Sequence, residues 1–226
     1  MKIAICLSGS IRNLYKSLKS VIDISETGDI KVFIHTWYFE DEENLKKQRS
    51  VAKEEENIDF LLKNFKPESI KIEKFESKID FFTSLKEVKN FKILQYPNKI
   101  NHISMFYSIF QSNNLKSSFE KDNNIIFDVV YRMRFDSEIS NPNLLIKEKI
   151  ENNTIFIPTP LKDYGGINDQ FAFGSSDALD KYSNLYNSID NFNPYQNNPE
   201  QILKAYLKTQ DIKINRHDLY VLVNHK

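Results

Sequence analysis

The stretch KIAICLSGSIRNLYKSLKSVIDISETGDIKVFIHTW, residues 2–37, restricts the fold more than any other part of the chain. An apolar run, a Ser-Gly-Ser turn, a helical pattern and a second apolar run follow in quick succession. Short continuous apolar runs read as strands buried on both faces, which belong to parallel sheets. Parallel neighbours need a crossover, and a right-handed helical one is the rule. Leu14, Leu18, Val21 and Ile22 mark the face that this helix would lay on the sheet. The opening therefore commits the chain to an α/β architecture.

The remainder extends that pattern. Residues 40–66 are dense in charge and read as a solvated helical insertion ending before Pro67, and SIKIEKF alternates as a third strand. Residues 80–100 suggest a short helix and a loop through Pro97; residues 101–120 form a helix with Ile103, Phe106, Tyr107 and Phe110 on one side. A fourth strand is expected through FDVVYRMRFDSEI, a short helix over LLIKEKI after Asn141-Pro142, and strands at TIFIPT and QFAFG. A helix begins near Ser176 or Asp177, with Leu179, Tyr182, Tyr186 and Ile189 inward. Asn198-Pro199-Glu200 combines an N-cap, a proline and an acid in the first turn, which starts a helix over QILKAYL. IKIN and LYVLV add one or two strands. The expected fold is a single α/β domain over residues 1–226, with a mixed, mostly parallel central sheet flanked by helices.

Composition narrows the function. Thirty-one basic residues balance 31 acidic ones, whereas a general nucleic-acid binder carries a basic excess. The single Cys6 lies in an apolar strand and reads as a buried thiol. No apolar stretch approaches the ~18 residues that span a bilayer, and IAICL is too short for a signal peptide, so a cytoplasmic location is expected.

Four stations carry residues suited to chemistry. Gly9 occupies the first strand-to-helix turn, where backbone N–H groups gather at a helix N-terminus and favour anions; Arg12 stands beside it. His35, Thr36 and Trp37 end the second strand, on the side where open α/β sheets bind ligands, although a lone histidine or tryptophan is more often core. In YRMRFDSEI, residues 131–139, an extended strand would set Arg132, Arg134, Asp136 and Glu138 on one face. Asp136 and Glu138 have the spacing and hard oxygen ligands to hold a divalent ion against a diphosphate; a self-compensating surface ladder is the competing reading. Finally, YGGINDQ places Gly166, Asn168 and Asp169 between two strands, where Asp169 could act as a base or bind sugar hydroxyls, or the loop could be a plain hairpin.

In this order, LSGSIRN, VFIHTW, FDVVYRMRFDSEI and GGINDQFAFGSSDAL resemble the motifs of small bacterial and viral glycosyltransferase-like proteins of the GT-A type. The resemblance covers residues 1–37 and 127–180 and implies a Rossmann-like nucleotide-binding half (1–140) joined to an acceptor-binding half (141–226). It implies a nucleotide-sugar donor and a glycan acceptor, which if lipid-linked would require transient membrane contact. Ser8, Gly9, Arg12, His35, Trp37, Arg132, Arg134, Gly166, Asn168 and Glu200 would bind substrate, and Asp136 and Asp169 would be catalytic. The RFD segment stands where the family keeps a metal-binding DxD motif, with Arg134 replacing the first acid, so the resemblance implies either Mn²⁺ or Mg²⁺ on Asp136 and Glu138 or Arg134 in place of the metal charge. Two alternatives remain beside the transferase: a binding module that has lost the chemistry, and a nucleotidyltransferase. The latter is disfavoured, because LSGSIRN holds one glycine and no lysine.

Overall fold

Strand β1 (Lys2–Gly9) is buried on both sides, with Ile3, Ile5 and Leu7 in one apolar layer and Ala4 and Cys6 in the other. The computed structural model, which describes residues 1–40, 54–84, 99–159, 163–192 and 198–223, builds outward from it. Helix α1 (Leu14–Ser25) crosses over to β2 (Asp29–Tyr38), which pairs in parallel with β1 from Lys2↔Asp29 to Gly9↔Thr36. Helix α2 (Glu54–Phe65) leads to the edge strand β3 (Ser69–Lys74), parallel to β2. After α3 (Glu76–Ser84) and the long α4 (Lys99–Asn123), the chain returns to β4 (Val129–Met133), parallel to β1 on its other side. Residues 41–53 of the expected charged insertion and the expected loop through Pro97 lie outside the described residues.

The later part completes the sheet. Strand β6 (Thr154–Pro158) and β7 (Phe171–Gly174) are antiparallel neighbours, β7 is antiparallel to β4, and β8 (Lys213–His217) joins β6 in parallel. The order is β3-β2-β1-β4-β7-β6-β8, a mixed, mostly parallel sheet as expected. Helix α1 shares a hydrophobic layer with Ile3, Ile5 and Leu7. Helices α4, α5 (Ser176–Ser183) and α6 (Pro199–Leu207) share the other layer, with Ala4 and Cys6. The Asn198 side chain accepts a 2.8 Å hydrogen bond from Gln201 N, the expected cap of α6. Cys6 is buried, and burial pushes its thiol up to about 12.

Three expectations are corrected. In α1 the buried side runs through Leu14, Val21 and Ile24, with Ser17 and Ser20 between, while Ile22 is 53% exposed. After Asn141 only one 3₁₀ turn forms (Pro142–Leu144); the backbone then extends at Leu145, and Leu145 and Ile150 drop into the α1-side core. Tertiary anchoring thus overrides a weak local helix signal.

The largest correction concerns the fourth strand. Sheet pairing stops at Met133, Phe135 and Asp136 turn, and β5 (Ser137–Ile139) leaves to form a second small sheet with β9 (Val221–Val223). The charged ladder therefore never forms. Phe135, 1% exposed, plugs the α1-side core and pulls the chain out of the strand. Phe135→Ala should destabilise the fold by about 3–4 kcal/mol in urea unfolding, against about 1 kcal/mol for Phe135→Leu. Equal costs for the two would show that this ring does not anchor the turn.

Candidate functional site

Crossovers on opposite faces of the sheet create a switch point between β1 and β4, and crevices open there at the carboxyl ends of strands. The turns after β1 and β4 meet at this place. Arg134 forks onto Asp136, with Nε donating to Oδ1 at 2.9 Å and Nη2 to Oδ2 at 2.7 Å. Arg12 Nη1 lies 3.8 Å from the same Oδ2. Asp136 is 1% exposed, so these attractions act with little solvent screening. Arg12 precedes the left-handed Asn13, whose side chain does not cap α1. An arginine opposes the helix dipole there, and Asp136 supplies the compensating charge.

The Gly9 turn is held from behind. Gly9 has φ +111°, a conformation that L side chains rarely adopt, and an added Cβ would meet no atom within 4 Å. Thr36 Oγ1 donates to Gly9 O at 2.9 Å, and Gly9 N donates to Ser108 Oγ at 2.9 Å. Ser108 Oγ is 2.6 Å from His35 Nδ1, and His35 Nε2 is 3.0 Å from Glu73 Oε2. Burial lowers the pKa of His35. Burial raises that of Glu73, but hydrogen bonds from His35, Tyr107 and Lys71 outweigh it and hold the carboxyl ionised. With His35 neutral and Glu73 able only to accept, Nε2 carries the proton and Nδ1 accepts from Ser108. The relay runs Gly9 N–H to Ser108, Ser108 to His35, His35 to Glu73.

This is the connectivity of a Ser-His-Glu triad, but Ser108 and His35 are both 0% exposed and their bonds are spent on the Gly9 turn. The relay positions the turn. His35 and Trp37, expected to contact ligand, are corrected to core residues: Trp37 is buried, stacks on Tyr107 and meets Phe75 and Phe82 edge-on. Ser8 is buried too, and its hydroxyl has no hydrogen-bond partner among the described residues. Sequence reasoning missed Glu73, Tyr107 and Ser108. The available signal was the run Ser104, Ser108, Ser112, Lys116, one residue every four on α4 and all buried. Ser108→Ala leaves Gly9 N–H and His35 Nδ1 without their partner and should cost about 2 kcal/mol in urea unfolding. A cost below about 0.5 kcal/mol would remove the relay's structural role.

A second group gathers around Asp169. Arg132 is 1% exposed, donates through Nη1 to Asp169 O, and has Nε and Nη2 without partners among the described residues. Burial pulls its pKa down. Asp169 and Asn168 are buried; Asn168 Oδ1 accepts from Gln170 N at 2.8 Å, and Asn168 N donates to Asp163 Oδ1 at 3.0 Å. Arg216 holds Asp163 through both guanidinium ends. Gly166 sits so close to α6 that a Cβ would fall 2.1 Å from Glu200 O, and Ile167 N donates to that carbonyl at 2.9 Å. The loop thus brings Asp169 beside Glu200, the first-turn acid of α6. Burial and the charge of Asp169 push Glu200 up to about 7.

A carboxyl raised from 4.5 to about 7 ionises first in the unfolded chain. Its contribution to stability is present below pH 4.5 and is lost as pH rises through about 7. Glu200→Gln should accordingly be near neutral at pH 4.5 and stabilising at pH 8, by on the order of 1–2 kcal/mol. Urea unfolding at the two pH values checks this, and the same difference at both would exclude it.

The donor set at Asp136 and Glu138 does not fit a divalent ion. Both Asp136 oxygens are taken by the Arg134 fork, and Glu138 pairs with Lys16 at 3.9 Å. Among the described residues no three His, Cys, Asp or Glu side chains group as a metal site.

The chain belongs to the family described as "Domain of unknown function (DUF7796)", whose model matches residues 1–225. No curated protein matches it. Among solved structures it is similar to "PaToxG Glycosyltransferase" at 12% identity and a TM-score of 0.39, over 92% of this chain and 67% of that one. It is also similar to a glycosyltransferase involved in glycosylating the major capsid of PBCV-1, at 15% identity and a TM-score of 0.40, over 96% of this chain and 82% of that one.

Proposed function

We propose that this protein is a glycosyltransferase that moves a sugar from a nucleotide-diphosphate donor to a glycan acceptor. One observation carries the reading: at the switch point, Arg12 and Arg134 converge on Asp136, and the loop between β6 and β7 sets the buried Asp169 beside Glu200 of α6, within reach of the charge of Arg134. The arrangement offers positive charge for a departing diphosphate and carboxylates for an acceptor hydroxyl. Glu200 feels the charges of both Asp169 and Arg134, which supports one shared site.

In an inverting transfer, Asp169 takes the proton of the acceptor hydroxyl as its oxygen bonds to the anomeric carbon. The bond from that carbon to the donor diphosphate breaks, and the electron pair leaves on the phosphate oxygen. Preorganised positive charge near that oxygen is the contribution such a reaction needs most. Glu200, partly protonated near neutrality, spares the region a second full negative charge. In a retaining transfer the same carboxylates would bind acceptor hydroxyls and no base would be needed at Asp169.

The four sequence motifs support placing the acceptor in surface polysaccharide synthesis, where a lipid-linked acceptor would bring the protein to a membrane surface. No described helix is long and apolar enough to cross one. The Arg134 fork on Asp136 favours a second reading, a nucleotide- or glycan-binding module without turnover. Incubation with a panel of UDP-, GDP-, dTDP- and CMP-sugars, with nucleotide release as readout, separates the two. Asp169→Asn should lower the rate by at least about 100-fold with the fold intact. Undiminished release in Asp169→Asn and Asp136→Ala would reject the site, and binding without any release would select the module.

A further inference from the structure

Resting on the acceptor half of the reading above, we infer that Tyr164 is a stacking platform for a sugar ring of the acceptor glycan. Its backbone lies at φ +43°, in the left-handed region. That region crowds the Cβ of an L residue; glycine enters it freely, and asparagine more readily than most. The other non-glycine residues with positive φ among the described ones are Asn13, Asn124, Asn153 and Lys66, so Tyr164 is the only aromatic there. A bulky side chain in that conformation is an outlier that the surrounding contacts must hold in place. Its ring does not offset the strain by filling the core, since the residue is 61% exposed.

The turn beneath the ring is pinned through its backbone and through Asp163. Asp163 O accepts from Gly166 N at 2.6 Å, and the Asp163 carboxylate takes both ends of the Arg216 guanidinium. Tyr164 O accepts from Asn198 Nδ2 at 3.0 Å, and Gly165 O accepts from Lys204 Nζ at 3.3 Å. Asn198 is the cap of α6 and Lys204 lies one turn beyond Glu200, so the helix that presents Glu200 also fixes the base of the ring. The same loop runs on into the buried Asp169. A rigid aromatic face is thus built on the junction that carries both carboxylates assigned to the acceptor. Pyranose rings have an apolar C–H face as well as hydroxyls. A tyrosine ring offers a flat apolar surface with only two side-chain torsions to fix, so a sugar can stack on it at little entropic cost. The hydroxyls on the edge of a stacked sugar stay available to the acids.

NMR titration of the isotope-labelled full chain with the methyl glycosides of glucose, galactose, mannose, rhamnose and N-acetylglucosamine tests this. The expected result is saturable binding of at least one glycoside, with shifts at the amides of Gly165 and Gly166. Tyr164→Gly should weaken that binding by about tenfold or more, and Tyr164→Phe by less than about twofold, because the ring and not the hydroxyl makes the contact. Glycine suits φ +43°, so the urea midpoint of Tyr164→Gly should be unchanged or higher, which separates a lost contact from a lost fold. Binding as tight in Tyr164→Gly as in the parent chain overturns the inference and leaves the acceptor reading standing. So does a lower urea midpoint in Tyr164→Gly, which makes the ring a structural one, or a loss confined to UDP and GDP binding, which gives the ring to a nucleobase. No binding of any of these glycosides by the parent chain overturns the acceptor reading and this inference with it.

Discussion

The carboxylate of Asp136 is the point on which this structure turns. It ties together two segments far apart in the chain, the turn after β1 that carries Arg12 and the turn after β4 that carries Arg134. A buried carboxylate is stable only when paired, and removing one partner of such a pair costs several kcal/mol. The fold satisfies that demand locally. Its by-product is an arginine pair with fixed direction at the switch point of the sheet.

Polarity is distributed unequally around the sheet. The α1 side is mostly apolar, with Tyr131, Phe171 and Phe173 in contact across β4 and β7 and a few buried serines such as Ser17 and Ser20. The α4 side admits polar groups in a line along one helix. Ser108 joins the relay under Gly9, while Lys116, fully buried, bonds Glu120 at 2.9 Å, Asp180 at 2.8 Å and Ser176 at 2.5 Å. Apolar layers tolerate sliding, because dispersion has no direction. A helix whose buried hydroxyls and ammonium must each find a partner has one acceptable position. Helix α4 is therefore the ruler against which the Gly9 turn is set.

Much of the fold was legible because it follows from periodicity: the βαβ start, the long α4, and the cap at Asn198 are local signals. The residues of the candidate cluster were legible one by one: Arg12, Arg134, Asp136, Asp169 and Glu200 were all singled out, and their mutual contacts are what the structure adds. The end of β4 was not. YRMRFDSEI alternates as well as any strand, and only the fit of Phe135 into the α1-side core decides that the backbone leaves the sheet after Met133. His35 and Trp37 misled for a related reason. A strand's carboxyl end faces a crevice only where no helix covers it, and α4 covers β2 there. The Glu73 relay was invisible because its members come from four separate elements, β1, β2, β3 and α4.

The small β5–β9 sheet gives the arginine turn a dependence on the order in which the chain is made. Strand β5 pairs with β9 from Ser137↔Val223 to Ile139↔Val221, Ser140 N bonds Tyr220 O, and Asn141 brackets Asp218 and Tyr220. Against α1 the same strand is held through Ser20, which accepts from Ile139 N and donates to Ser137 O. During synthesis α1, β1 and β4 emerge early and can assemble, but the second clamp on residues 134–139 arrives only with residues 218–223. Until residues 218–223 have been made, the turn that carries Arg134 and Asp136 is fastened on the α1 side alone, so its second clamp forms later than the sheet it leaves.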